Sequence, residues 1–187
     1  MDEDGNAEQS HSGRQSPASA KKSKRGKVAT QTSWLMHEFT LLESLHAMGA
    51  DVPRPIEHGE HVLLMQYIGS DAAAAPTLND VELEPAEAKR LFERVIYNVE
   101  ILLGLGWVHG DLSEYNIMYD RGRIVLIDFP QVADARNNPK ARALFERDIA
   151  RVASYFARSG HTVDARELAR ELWARHISDA DGEETTS

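Results

Sequence analysis

Cysteine is missing altogether from these 187 residues. Its absence excludes a disulfide framework, a thiolate metal site and thiol catalysis. Long apolar runs are missing too, so no segment is expected to span a bilayer and no membrane partner is expected. The first twenty residues, Met1 to Ala20, are acidic and polar with no apolar stretch, so no secretory signal peptide is expected. Aromatic residues make up only 7% of the chain, and 21 Lys and Arg face 30 Asp and Glu, a net charge of -9. That balance disfavours nucleic-acid binding by the whole surface, while a local basic patch stays open. The expectation is a soluble, cytoplasmic, globular protein with enough chain to bury one core.

Composition divides the chain. Residues 1–31 offer almost nothing to a core and are expected to form a disordered polar tail, with a basic cluster at Lys21, Lys22, Lys24, Arg25 and Lys27. Residues 178–187 form a second expected tail, acidic and frayed. Between them, Leu35, Phe39, Leu42, Leu45 and Met48 repeat near 3.6 residues, which predicts a helix capped by Ser33 and ended by Gly49. Pro53 and Pro55 then force an extended path. Ile56–His58 and His61–Ile68 read as strands around a turn at Gly59, and Asp71–Asp80 as a loop. Pro85–Leu105 carries a continuous apolar stripe from Ala88 to Leu103 and predicts a long helix. Ile117–Tyr119 and Ile124–Ile127 flank Arg121-Gly122 as a hairpin. Two further helices are expected near Pro139–Arg158 and Asp164–His176. The pattern is α+β, dominated by helix after residue 80.

Chemistry concentrates in His109-Gly-Asp-Leu-Ser-Glu-Tyr-Asn116, a loop between a buried helix and a hairpin. Alone, His-Gly-Asp reads as a turn, and Ile127-Asp-Phe129 as a strand end. Together they give Asp111, Asn116 and Asp128 at the spacing of a phosphoryl-transfer site. Mg²⁺ takes hard oxygen ligands, one or two carboxylates beside phosphate oxygens, and Asn116 and Asp128 meet that need. Asp111 is then free to orient a hydroxyl and accept its proton.

The segment resembles the catalytic loop of the kinase superfamily, and specifically of the RIO family of atypical serine/threonine kinases. Ile127-Asp-Phe-Pro-Gln131 looks like that family's metal-binding motif, with Pro130 where ordinary protein kinases carry Gly. Small-molecule phosphotransferases of the aminoglycoside type share part of the pattern, but the Ser-Glu-Tyr filling and Asp134-Ala-Arg-Asn-Asn-Pro139 favour RIO. The resemblance implies a protein-kinase-like (RIO) fold with a partial N-terminal lobe and hinge over residues 32–69 and a complete helical C-terminal lobe over 70–177. That N-terminal lobe would be reduced to one helix and about two strands. The resemblance also implies ATP and Mg²⁺ as cofactors, Asp111 as catalytic Asp, Asn116 and Asp128 as metal ligands, and an aspartyl-phosphate on Asp128. Met65 would gate the adenine pocket, and Gln66 and Ile68 would offer backbone groups to the base. Glu38 would be the helix Glu that pairs with an ATP-binding Lys, with Asp148 and His109 as structural support. A ribosome or other RNA–protein particle is the implied partner, alongside an unidentified protein substrate.

No Gly-rich loop and no strand Lys precede Glu38, although a complete kinase uses both to hold the phosphates. A truncated chain, a degenerate kinase and a lobe completed by a partner all fit. The expected activity is ATP- and Mg²⁺-dependent serine/threonine phosphorylation or ATP hydrolysis. The alternative from another class is a non-catalytic, pseudokinase-like scaffold that binds a partner through the incomplete lobe.

Overall fold

The computed structural model describes residues 35–177. Both expected tails, the Ser33 cap and the basic cluster lie outside the described residues. Helix α1, residues 35–47, buries Leu41, Leu42 and Leu45 and leaves Met36 exposed, and Met48 in the turn after it is exposed too. It ends at Gly49, whose φ of +80° is the left-handed conformation a helix stop favours. Strands β1 (Pro55–His58) and β2 (Leu63–Met65) then pair antiparallel.

Strand β2 is shorter than the expected His61–Ile68. The register slips between Pro55 and Glu57, and Pro55 has no N–H to extend a ladder. Gln66 makes one more backbone bond, to the Arg54 carbonyl at 2.8 Å. Beyond it the chain leaves the sheet and turns at Gly69, where an added Cβ would sit 2.5 Å from the Ala73 carbonyl oxygen. The expected loop at Asp71–Asp80 contains a 3₁₀ turn, Leu78–Asp80.

Helix α2 (Pro85–Gly104) matches its expectation closely, with Pro85 in the first turn, where a missing N–H costs nothing. Strands β4 (Ile117–Asp120) and β5 (Arg123–Leu126) form the expected hairpin. Its turn residues Arg121 and Gly122 have φ of 52° and 80°, the two positive values that match the twist of flanking strands. Helices α3 (Ala141–Arg158) and α4 (Ala165–His176) follow, the latter capped by the Asp164 carboxylate on the N–H groups of Arg166 and Glu167. Not expected from the sequence is a third short ladder, β3 (Trp107–Val108) with β6 (Ala133–Asp134).

One core joins these elements. Leu91, Val95, Val99 and Leu103 of α2 meet Phe145, Ile149, Val152 and Phe156 of α3, with Phe92 and Phe156 edge to face at 5.5 Å. The segment after α1 is tied to α2 by polar groups. Asp51 accepts two hydrogen bonds from the Arg94 guanidinium, and buried Asn98 both accepts from the Asp51 N–H and donates to its carboxylate. By contrast, Ile56, Val62 and Leu64 of the β1–β2 region lie exposed, and among the described residues this sheet has two strands. Among the described residues, no helix is long and apolar enough to cross a membrane.

Candidate functional site

The turn at Gly106 and the β3–β6 ladder deliver the chain to His109, which is buried. Its Nε2 lies 3.2 Å from the Ile127 carbonyl, and its ring packs on Phe129 at 4.7 Å. Burial pushes the imidazole down to about 4, so the ring is neutral at physiological pH and Nε2–H is the donor to Ile127. That contact joins the loop to the strand end that carries Asp128.

Gly110 follows, with φ of +82° and no room for a side chain: an added Cβ would lie 2.2 Å from the Gln131 carbonyl oxygen. That close approach brings the Asp128–Gln131 turn against the loop. The Gly110 N–H donates to Asp148 Oδ2 at 2.8 Å, and the Leu112 N–H donates to the same carboxylate. Burial in α3 raises the Asp148 carboxyl to about 6, and the two N–H groups and Arg147 hold it from rising further.

Asp111 is half-exposed, with Arg151 Nη1 2.8 Å from its Oδ1. Ser113 caps the 3₁₀ turn Glu114–Asn116 by accepting from the Tyr115 N–H. Asn116 then ties the site together. Its Nδ2 donates to the Asp111 carbonyl at 2.8 Å, and its own carbonyl accepts the Ile127 N–H at 3.0 Å. Its Oδ1 stays uncommitted among the described residues. Asp128, the residue after Ile127, is exposed and has φ of 65°, a conformation that costs a non-glycine residue energy and that recurs where a site demands it. Asp111, Asn116 and Asp128 are therefore linked through backbone contacts. Among the described residues no three His, Asp or Glu side chains gather to hold a metal on their own. An amide oxygen and a single carboxylate suit Mg²⁺ that brings phosphate oxygens with it.

Glu38 accepts a hydrogen bond from the Phe129 N–H, and burial together with the nearby Asp128 charge raises its carboxyl. It thus stands beside the turn that carries Asp128 and Phe129, and among the described residues no cation pairs with it.

Gln66 and Ile68 line a cleft of about 270 Å³ with Ala50–Val52, Tyr67 and Arg123–Val125. Met65 does not line it; it is half-buried against the core. Nor do Asp111, Asn116 and Asp128, so the cleft and the acidic site are separate features of the surface. Backbone bonds at this connection use the Gln66 N–H and the Ile68 carbonyl, the latter with Ala75 at 3.0 Å. Among the described residues the Gln66 carbonyl and the Ile68 N–H take no backbone bond, and neither do the backbone groups of Tyr67 between them. The arginines of α3 are the site residues that sequence reasoning missed. Their signal was a spacing of four and seven along the helix after Arg147, which repeats on one helical face.

Comparison with known proteins adds family and fold. A family model described as "RIO domain" matches residues 6–168. The serine/threonine-protein kinase rio1 of Schizosaccharomyces pombe is 35% identical over 127 residues, covering 67% of this chain and 25% of that protein. The RIO-type serine/threonine-protein kinase Rio1 of Thermoplasma acidophilum is 34% identical over 135 residues, covering 72% of this chain and 69% of that protein. The crystal structure of the Rio2 kinase-ADP/Mg2+-phosphoaspartate complex from Chaetomium thermophilum is similar at a TM-score of 0.58 and 25% identity, over 82% of this chain and 50% of that one. The chain thus spans about a quarter of the fission-yeast relative and about half of the solved chain.

Proposed function

Because the chain belongs to the RIO domain family, we propose that it is a RIO-type phosphotransferase acting on ATP with Mg²⁺. The observation that carries this reading is the double use of Asn116, whose amide donor holds the Asp111 carbonyl while its backbone carbonyl holds Ile127. Asn116 Oδ1 and Asp128 are left as the oxygen donors for the metal, which when bound would neutralise phosphate charge. Asp111 accepts the proton of an incoming serine or threonine hydroxyl as its oxygen bonds to the γ-phosphorus and the bond to the β-phosphate oxygen breaks. His109 and Asp148 keep the loop rigid and take no proton in that step. The uncommitted Gln66 carbonyl and Ile68 N–H supply the acceptor and donor that an adenine edge requires, with Met65 behind them.

The phosphoaspartate named for the Rio2 complex supports a variant of the same chemistry. In it an Asp128 carboxylate oxygen bonds to the γ-phosphorus, ADP leaves, and water later hydrolyses the acyl phosphate. An ATPase cycle of this kind would suit a role on a ribosome or other RNA–protein particle in the cytoplasm. The second reading, a non-catalytic scaffold, is favoured by one observation: among the described residues Glu38 has no cation to pair with.

Calorimetry of ATP·Mg²⁺ binding to the chain and to Asp128→Asn separates the two. Micromolar binding that weakens about tenfold or more in the variant supports the phosphotransferase. Absence of binding by both proteins leaves the scaffold.

A further inference from the structure

Helix α3 supports the loop through more than Asp148. Arg147, Arg151 and Arg158 share one face of the helix, and each reaches a different part of the loop. Arg147 donates to the Gly110 carbonyl, Arg151 Nη1 to Asp111 Oδ1 at 2.8 Å, and Arg158 Nη2 to Glu114 Oε1 at 3.0 Å. The middle contact falls on the carboxylate that accepts the substrate proton. Both partners are more than 40% exposed, at 42% and 47%. A pair so open to water contributes little to folding, so stability does not account for it.

Geometry does. Arg151 binds one carboxylate oxygen, and among the described residues nothing bonds to the other. A half-exposed aspartate without a partner samples several rotamers. One fixed by a planar guanidinium keeps its free oxygen aimed in a constant direction. We infer that Arg151 is a positioning residue for phosphoryl transfer, holding Asp111 through Oδ1 so that Oδ2 meets the incoming hydroxyl or water. The inference rests on the role of Asp111 proposed above.

The test compares the full chain with Arg151→Ala, Arg151→Lys and Asp111→Asn. ATP turnover is read as ADP release, and ADP·Mg²⁺ affinity is read by calorimetry. In Arg151→Ala, kcat is expected to fall about 10- to 100-fold while the KM for ATP and the ADP affinity stay within about twofold. Millimolar methylguanidinium restores part of the lost rate, and Arg151→Lys falls between Ala and the parent. An unchanged or faster Arg151→Ala, in an active parent, overturns the positioning role alone. So does a loss of rate that merely follows a loss of ADP affinity. A parent that binds ADP·Mg²⁺ but releases no ADP from ATP overturns it while sparing the nucleotide site. A parent that binds no nucleotide removes the phosphotransferase reading, and this inference with it.

Discussion

Gly110 and Asp148 stand 38 positions apart in sequence and are joined by a 2.8 Å hydrogen bond from the glycine N–H to the aspartate carboxylate. The bond fixes a loop to the middle of a buried helix. It also sets a cost, because Asp148 is only 2% exposed and its charge has left water. The two N–H donors and Arg147 offset that cost in part.

Asp148→Ala removes the acceptor and strands the N–H groups of Gly110 and Leu112. The expected loss is roughly 2–4 kcal/mol of stability. Asp148→Asn retains an acceptor oxygen and should lose less. Urea denaturation of the three proteins orders them.

The pH dependence of stability carries opposed contributions from two neighbours. His109, lowered to about 4, stabilises fully above its ordinary value of 6.5, and that contribution is lost as pH falls through the interval toward 4. Asp148, raised to about 6 from 3.8, works the other way: its contribution is present below 3.8 and lost as pH rises through 6. Each amounts to something on the order of 3 kcal/mol, so they nearly cancel between pH 4 and 6.5. Relative to the parent, Asp148→Asn should lose stability on acidification across this window, and His109→Gln should gain it. Denaturation midpoints at pH 4.5, 5.5 and 7, chosen to bracket about that interval, check the signs.

Gly110→Ala combines a positive φ with a Cβ placed 2.2 Å from the Gln131 carbonyl oxygen, and that oxygen belongs to backbone. The turn must move, at an expected cost of about 2–4 kcal/mol. Because the same turn carries Asp128, ADP·Mg²⁺ affinity should drop by about tenfold or more. Gly122→Ala, at a hairpin tip away from the site, strains its backbone too but should leave affinity unchanged. Calorimetry on both variants tells strain from site damage.

Asn98 is 1% exposed and bonds to both the backbone and the carboxylate of Asp51. Asn98→Ala leaves the Asp51 N–H unpaired and loosens the connection from α1. An expected loss of about 2–3 kcal/mol is measurable by thermal or urea unfolding.

Elements whose causes are local can be read from the sequence. Pro85 and the stripe behind it specify α2, Arg121-Gly122 specifies the hairpin, and Asp164 specifies the start of α4. The β3–β6 ladder cannot be read this way, since each strand is two residues long and its partner lies some two dozen positions away. A run of two residues has no period. The length of β2 depends on its partner: Pro55 and the register slip opposite it end a strand that its own apolar residues would extend to Ile68.

The candidate site divides in the same way. Asp111, Asn116 and Asp128 stand out because they lie close in sequence and their spacing carries the chemistry. Arg151 is silent until α3 is docked, since it reaches Asp111 across 40 positions. Met65 is half-buried against the core, a placement that depends on the elements packed around it and not on its own position at a strand end.

The contacts of α3 with the loop depend on helical phase as much as on residue identity. Arg147, Asp148, Arg151 and Arg158 all reach the loop from one helix, so each inserted residue turns whatever follows it by about 100°. One residue added between Asp148 and Arg151 would swing both later arginines off the loop while leaving every side chain intact. Seven added there would make nearly two full turns and restore their direction, but shift it about 10 Å along the axis, past the loop they serve. The spacing of α3 is thus a length standard for the site, and its composition can vary where its count cannot.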